Sequence, residues 1–91
     1  KLSYVAARSG VTMFYVYILQ SIDHPARFYT GFSSNIENRL KAHNMGQDTY
    51  TRKYKPWKLK TLISFTDRER ALDFERYLKT PSGRGFVKKR L

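Results

Sequence analysis

The chain has 91 residues, with 18 Lys or Arg against 7 Asp or Glu and a formal net charge of +11. One domain fills that length and no cysteine is present, which excludes a separate cofactor module, disulfides, thiolate metal sites and cysteine nucleophiles. No apolar run approaches the roughly 18 residues of a membrane span and no secretion-signal core is present, so a cytoplasmic protein with no membrane partner is expected.

Residues 1–12 (KLSYVAARSGVT) follow no hydrophobic period, and Met13 stands just before the first patterned segment. Residues 1–12 therefore read as a tail ahead of a natural start, and residues 13–91 as a single domain. Phe14 to Gln20 (FYVYILQ) is apolar until its last residue, as in a strand covered on both faces. A turn-rich stretch with Pro25 follows, then a second short strand from Arg27 to Phe32. Strands this close pair as an antiparallel hairpin. With Gln20 opposite Ala26, Tyr17 falls opposite Tyr29 and the two rings share a face.

Ser34 and Glu37 have capping-box spacing, and Gly46 marks a helix stop. Ile36 and Leu40 define the buried stripe of that helix, with Arg39 and His43 on one flank. Thr49 to Lys58 reads as a cationic loop containing Pro56. Leu59 to Phe65 alternates as a third strand, and Thr66 and Glu69 repeat the capping spacing ahead of a helix ending near Lys79. The last stretch, SGRGFVKKRL, reads as a turn and a short basic helix. The expected fold is α+β in the order β-β-α-β-α(-α), a three-stranded antiparallel sheet flanked by two to three helices.

Hydrophobic residues make up 41% and aromatics 15%, enough for a small core, so the charge does not signal disorder. A folded domain this basic has the electrostatic footprint of a nucleic-acid binder. Glu75 stands out because it lies within the apolar arc formed by Ala71, Leu72, Phe74 and Leu78. A carboxylate there needs a cation, supplied either by an arginine in an internal ion pair or by a divalent metal. Arg39 and His43, at i and i+4, point the same way, and Arg is suited to a two-pronged grip on phosphate. Tyr17 and Tyr29 are ordinary strand residues taken singly, but Gly31 beside Tyr29 lets a backbone approach closely.

Tyr15-Val16-Tyr17, Tyr29-Thr30-Gly31, Arg39, His43 and Glu75 together resemble the GIY-YIG endonuclease superfamily, over Phe14 to at least Lys79. The resemblance is strongest to small stand-alone members similar to the N-terminal nuclease domain of excinuclease C. It implies hydrolysis of phosphodiester bonds in DNA, in repair or recombination; RNA stands as the alternative substrate, and a domain borrowed by a larger repair complex, targeted by a protein partner, as a further alternative. It also implies that Tyr17 or Tyr29 acts as base or orients water, Arg39 holds the phosphoryl oxygens and His43 assists proton transfer. Glu75 would then anchor Mg²⁺ or Mn²⁺. Phe32 stands where excinuclease-like relatives place a lysine, and no asparagine follows Asn44, leaving Lys79 or Arg84 to supply polar contacts.

Arg52, Lys53, Lys55, Lys58, Arg84, Lys88 and Lys89 are the expected contacts to the nucleic-acid backbone, with Tyr50, Tyr54 and Trp57 interleaved as candidates for base stacking. The competing function is a non-catalytic basic nucleic-acid-binding module. Such a module needs the cations but neither Glu75 on an apolar arc nor the Arg39 and His43 pair.

Overall fold

A computed structural model describes residues 12–91, so the expected tail, apart from Thr12, lies outside the described residues. The strands are β1 (Phe14–Ser21), β2 (Phe28–Ser33) and β3 (Trp57–Phe65), in the antiparallel order β2-β1-β3. The helices are α1 (Ile36–Asn44), the single turn α2 (Thr49–Arg52), α3 (Arg68–Leu78) and α4 (Pro81–Arg90). The central strand is the most apolar one because both its faces are covered. Tyr15, Tyr17 and Leu19 pack on one side with Ile36 and Trp57, while Val16 packs on the other with Ala71 and Leu78.

The hairpin register differs from the expected one. Gln20 pairs with Phe28, which puts Tyr17 opposite Gly31 and Leu19 opposite Tyr29. The longer connection, tied by the Gln20 side chain to the Pro25 carbonyl and by Ser21 N–H to the Arg27 carbonyl, moves the pairing by two residues. A two-residue shift preserves face parity, so Tyr17 and Tyr29 still share a face, as diagonal neighbours with ring centroids 6.3 Å apart.

Both expected helix caps move by one residue. Asn35, rather than Ser34, caps α1 by accepting from Asn38 N–H, while Ser33 Oγ bonds the Asn35 backbone on both sides. Asp67, rather than Thr66, caps α3 by accepting from Glu69 N–H. Asn and Asp are at least as good as Ser and Thr at this position, so the neighbouring residue wins. Gly46, at φ 80°, ends α1 in the left-handed conformation, as its position suggested.

Two segments hold more helix than expected. Asp48 accepts from Tyr50 N–H and Thr51 N–H, turning the start of the cationic loop into α2. The basic tail is a ten-residue helix capped by Thr80 with Pro81 in its first turn. Gly83 makes that helix possible in this place. A Cβ there would stand 1.9 Å from the Tyr77 carbonyl oxygen, so only glycine lets α4 cross the end of α3 this closely. Among the described residues no helix is long and apolar enough to cross a membrane.

Candidate active site

The site is assembled at the β2 edge of the sheet by an aromatic side chain from the strand beside it. Tyr17 leaves β1 and lays its ring over Gly31 of β2, where a Cβ would stand 2.4 Å from both Cζ and Oη. Gly31 thus makes room for a protein ring, not for the substrate backbone that the sequence suggested. Tyr17 is 1% exposed, and its hydroxyl is 2.9 Å from His43 Nε2. Burial, the largest effect, raises the phenol's pKa, and the hydrogen bond and charge of Arg39 oppose the rise.

His43 is fully buried in α1. Its Nδ1 is 2.8 Å from Thr51 Oγ1, and the Thr51 carbonyl in turn accepts from Trp57 Nε1 at 2.7 Å. Burial first, and the Arg39 charge second, lower the pKa of the imidazole. Tyr17 and His43 therefore meet as neutral phenol and neutral imidazole near pH 7. Arg39 stands one helical turn before His43, and its interaction with Tyr17, the largest effect on the guanidinium, raises its pKa. Its buried Nε–H has no acceptor among the described residues, and a cavity of about 170 Å³ lined by Arg39, His43, Gln47 and Asp48 adjoins it. A phosphoryl oxygen is the kind of acceptor that donor lacks.

Tyr29 occupies the mouth. It is half-buried, its ring centroid lies 4.9 Å from that of His43, and its hydroxyl has no hydrogen-bond partner among the described residues. Burial and the negative charge of Asp48 raise its pKa, and Arg39 pulls the other way. Tyr50, 46% exposed, continues the aromatic row with its centroid 6.2 Å from Tyr29. Trp57 belongs instead to the core at 2% exposure, and Tyr54 packs against that core, which removes Trp57 from the stacking candidates. Phe32 faces the other side of the sheet, stacked on Phe14 with the Arg68 guanidinium above it.

Glu75 reaches the site from α3. Its side chain is only 16% exposed, and its charge acts on both Tyr17 and Tyr29. The partner is Lys79, not an arginine, with Nζ 2.8 Å from Oε2 and 5.9 Å from the Tyr29 ring centroid. No cluster of three His, Asp or Glu side chains suited to a metal occurs among the described residues. A lone, mostly buried carboxylate still fits Mg²⁺ or Mn²⁺. Such ions take one or two protein carboxylates and keep waters and substrate oxygens for the rest.

The expected backbone contacts divide into two groups. Arg84 and Lys88 line a groove of about 870 Å³ together with Lys79, Tyr29 and Tyr50, so α4 carries its cations towards the site, and Lys89 stands exposed beside them. Arg52, Lys53, Lys55 and Lys58 are all exposed, on α2, the segment leading into β3 and the start of β3 itself. The sequence left three site neighbours unassigned: Asp48, Thr51 and Lys79's hold on Glu75. The spacing of Glu75 and Lys79 (i, i+4) was a usable signal, whereas nothing local marks Thr51 as a partner of His43.

A family profile described as the GIY-YIG catalytic domain matches residues 13–90. A UPF0213 protein of Clostridium perfringens is 43% identical over 68 residues, covering 74% of this chain and 71% of that protein. The structure-specific endonuclease subunit SLX1 of Debaryomyces hansenii is 35% identical over 83 residues, 84% of this chain but 24% of its own length. The solution NMR structure of a UPF0213 protein from Bacillus halodurans matches with a TM-score of 0.51 at 29% identity, covering 85% of this chain and 83% of that one. Matched by this profile over nearly all its described residues, the chain belongs to the GIY-YIG catalytic-domain family, in company with the small UPF0213 proteins.

Proposed function

We propose that the protein is a divalent-metal-dependent endonuclease that hydrolyses phosphodiester bonds in DNA, acting in repair or recombination. The observation that carries this proposal is the buried Nε–H of Arg39, left without an acceptor among the described residues, one helical turn from His43 of the Tyr17–His43 pair. An arginine donor held this way is pre-organised for a phosphoryl oxygen and for the charge that gathers on it as the bond to the nucleophile forms.

The residues divide the work by their exposure. Tyr17, buried and engaged by His43, holds Arg39 in place, while Tyr29 at the mouth presents its oxygen to the attacking water. In its phenolate form Tyr29 takes the proton from that water as the water oxygen bonds to phosphorus, and the leaving oxygen takes a proton from solvent. Glu75 would hold Mg²⁺ or Mn²⁺, an ion that supplies charge neutralisation at the phosphoryl group when bound. Lys79, Arg84 and Lys88, with Arg52, Lys53, Lys55 and Lys58, position the DNA backbone without reading its sequence. SLX1 is described as a subunit, which supports a repair-complex protein as the source of targeting.

A second function, the non-catalytic nucleic-acid-binding module, is favoured by one observation: Lys79 already satisfies Glu75. The two are separated by incubating the wild type, Tyr29→Phe and Arg39→Ala with duplex DNA, branched DNA and RNA in Mg²⁺ or Mn²⁺. Metal-dependent cutting of DNA by the wild type and loss of that cutting in both variants is the expected result. Binding without cutting by the wild type under all these conditions overturns it in favour of the module.

A further inference from the structure

The sheet face opposite the Tyr17–His43 contact carries an opening of its own. Phe28 lies across from Gln20 and Thr30 across from Ile18, so both side chains share the face of Val16 and Ile18, on which α3 and α4 pack. Beside the β2 edge the helices leave the groove of about 870 Å³, with Ile18, Phe28 and Thr30 on its sheet side and Arg84, Val87 and Lys88 on its α4 side. Sites for small ligands run to roughly 300–1,000 Å³. Tyr29 and Lys79 line this groove and also border the mouth of the active site, so the two openings meet across the β2 edge.

Phe28 is 43% exposed and belongs to neither apolar cluster of the core, so its ring serves no packing inside the domain. The charge around it has one sign. Arg27, Lys60, Lys79, Arg84 and Lys88 border the groove, and no Asp or Glu does so among the described residues. Lys79 is held by Glu75, Arg27 lies over the Tyr54 ring and Lys60 bonds the Leu91 carbonyl, whereas Arg84 and Lys88 make no ion pair among the described residues. A single exposed phenylalanine is ordinary on a protein surface. One set in a groove rimmed by cations selects a ligand that joins a flat apolar face to negative charge, and a nucleotide is such a ligand.

We propose that this groove is a nucleobase site, in which Phe28 stacks on an unpaired base of the bound DNA strand while Arg84 and Lys88 hold the flanking phosphates. The base must be unpaired, because in a duplex its faces are covered by the neighbouring bases and its edge by its partner. It comes either from a single strand or from a nucleotide swung out of a duplex. The placement of this base near the cut phosphate rests on the nuclease function proposed above; the binding of the base does not.

The test is equilibrium binding without divalent metal, so that no cutting intervenes. The probes are a single-stranded oligothymidylate and the same strand built of abasic sugars, which keeps every phosphate. The wild type is expected to bind the oligothymidylate more tightly. Phe28→Ala should weaken that binding roughly 5- to 150-fold, the worth of stacking on one base, and leave the abasic strand and the salt slope unchanged. Phe28→Trp should keep the affinity. Arg84→Ala together with Lys88→Ala should weaken both strands alike and flatten the salt dependence. Duplexes with and without a central mismatch distinguish the two sources of the base. Tighter binding of the mismatched duplex, lost in Phe28→Ala, assigns it to an extruded nucleotide, and equal binding of the two duplexes assigns it to single strands. Equal affinity of the wild type for the two single strands, or a Phe28→Ala loss as large on the abasic strand, overturns the proposal. If Phe28→Ala fails to fold, photocross-linking of the wild type to a 5-iodouracil-substituted strand decides: attachment is expected at Phe28, and attachment only elsewhere overturns it. Base-dependent binding by a protein that cuts nothing upholds the site and removes the nuclease function, and cutting with base-independent binding does the reverse.

Discussion

Tyr17 and Gly31 face each other across β1 and β2, and the phenol ring occupies the volume that a side chain at residue 31 would fill. Because the overlap is with the end of the ring whose hydroxyl is bonded to His43, the ring can yield only by disturbing that bond. Gly31→Ala is therefore expected to destabilise the domain by about 1–3 kcal/mol, the usual cost of overfilling a packed site. At roughly 4–8 °C per kcal/mol for a domain of this size, thermal melting will show it clearly. The same substitution should disable DNA cleavage even at temperatures where the variant is fully folded, because the Tyr17–His43 contact opens. An unchanged melt would mean the ring has another place to go.

The chain order of strands and helices was legible because it rests on local patterns, while the five candidate site positions were singled out by spacing together with a family resemblance. An apolar run, a capping spacing and an i, i+4 pair can each be seen within a dozen residues. The parts that were not legible depend on pairs far apart in sequence. The hairpin register follows from how the Ser21–Arg27 and Gln20–Pro25 bonds close the turn, and the Phe28-to-Ser33 span then has to match. Trp57 resembles a stacking residue among cations until Thr51 and Asn44 are seen to hold its indole and backbone. The α4 helix was obscured by Gly83 and Gly85, which lower helix propensity, while the reason for Gly83 lies in α3.

His43 makes stability depend on pH in a definite direction. Its pKa in the folded protein lies below the ordinary histidine value of 6.5, so the unfolded chain binds the proton more readily. The unfolded state is then favoured progressively as pH falls below about 6.5, and the loss levels off once the folded value is passed. Above pH 6.5 the contribution is complete. Melting temperatures measured from pH 8 down to pH 5 should fall more steeply for the wild type than for His43→Gln. Equal slopes would show that His43 takes up its proton without disturbing the fold.

Tyr29 sets a different pH dependence, on rate. Its pKa is raised above the ordinary phenol value of 10, so only a small fraction is phenolate near neutrality. If that fraction is the base, kcat rises about tenfold per pH unit from pH 7 towards 10 and has no plateau at neutral pH. Tyr29→Phe should remove both the slope and most of the rate. A flat profile in the wild type would assign Tyr29 to orienting water alone.

The exposed cations Lys53 and Lys55 test the binding surface apart from the chemistry. Reversing both charges is expected to weaken binding to all DNA sequences alike. The slope of log affinity against log salt should shrink by about one for each phosphate that is no longer neutralised. Equilibrium binding at several salt concentrations measures both quantities. A changed sequence preference at constant salt slope would contradict a backbone-tracking role.

Glu75 and Lys79 supply the strongest separation of enzyme from binder. Their contact spans one helical turn with the lysine half exposed, so it is worth only about 0.3–0.5 kcal/mol. Alanine is also a better helix former than glutamate, which offsets part of that loss in Glu75→Ala. The variant should therefore melt within a few degrees of the wild type, and removing one negative charge near phosphate should leave DNA affinity equal or higher. Cleavage, by contrast, should fall to background, because the carboxylate proposed to hold the divalent ion is gone. Lys79→Met works in the opposite sense by freeing Glu75 from its resident cation. Mn²⁺ affinity, followed by electron paramagnetic resonance, is expected to rise in Lys79→Met and to vanish in Glu75→Ala. If Glu75→Ala instead melts far below the wild type while Mn²⁺ binds all three proteins alike, the carboxylate serves the helix and its lysine, and the domain is a binder.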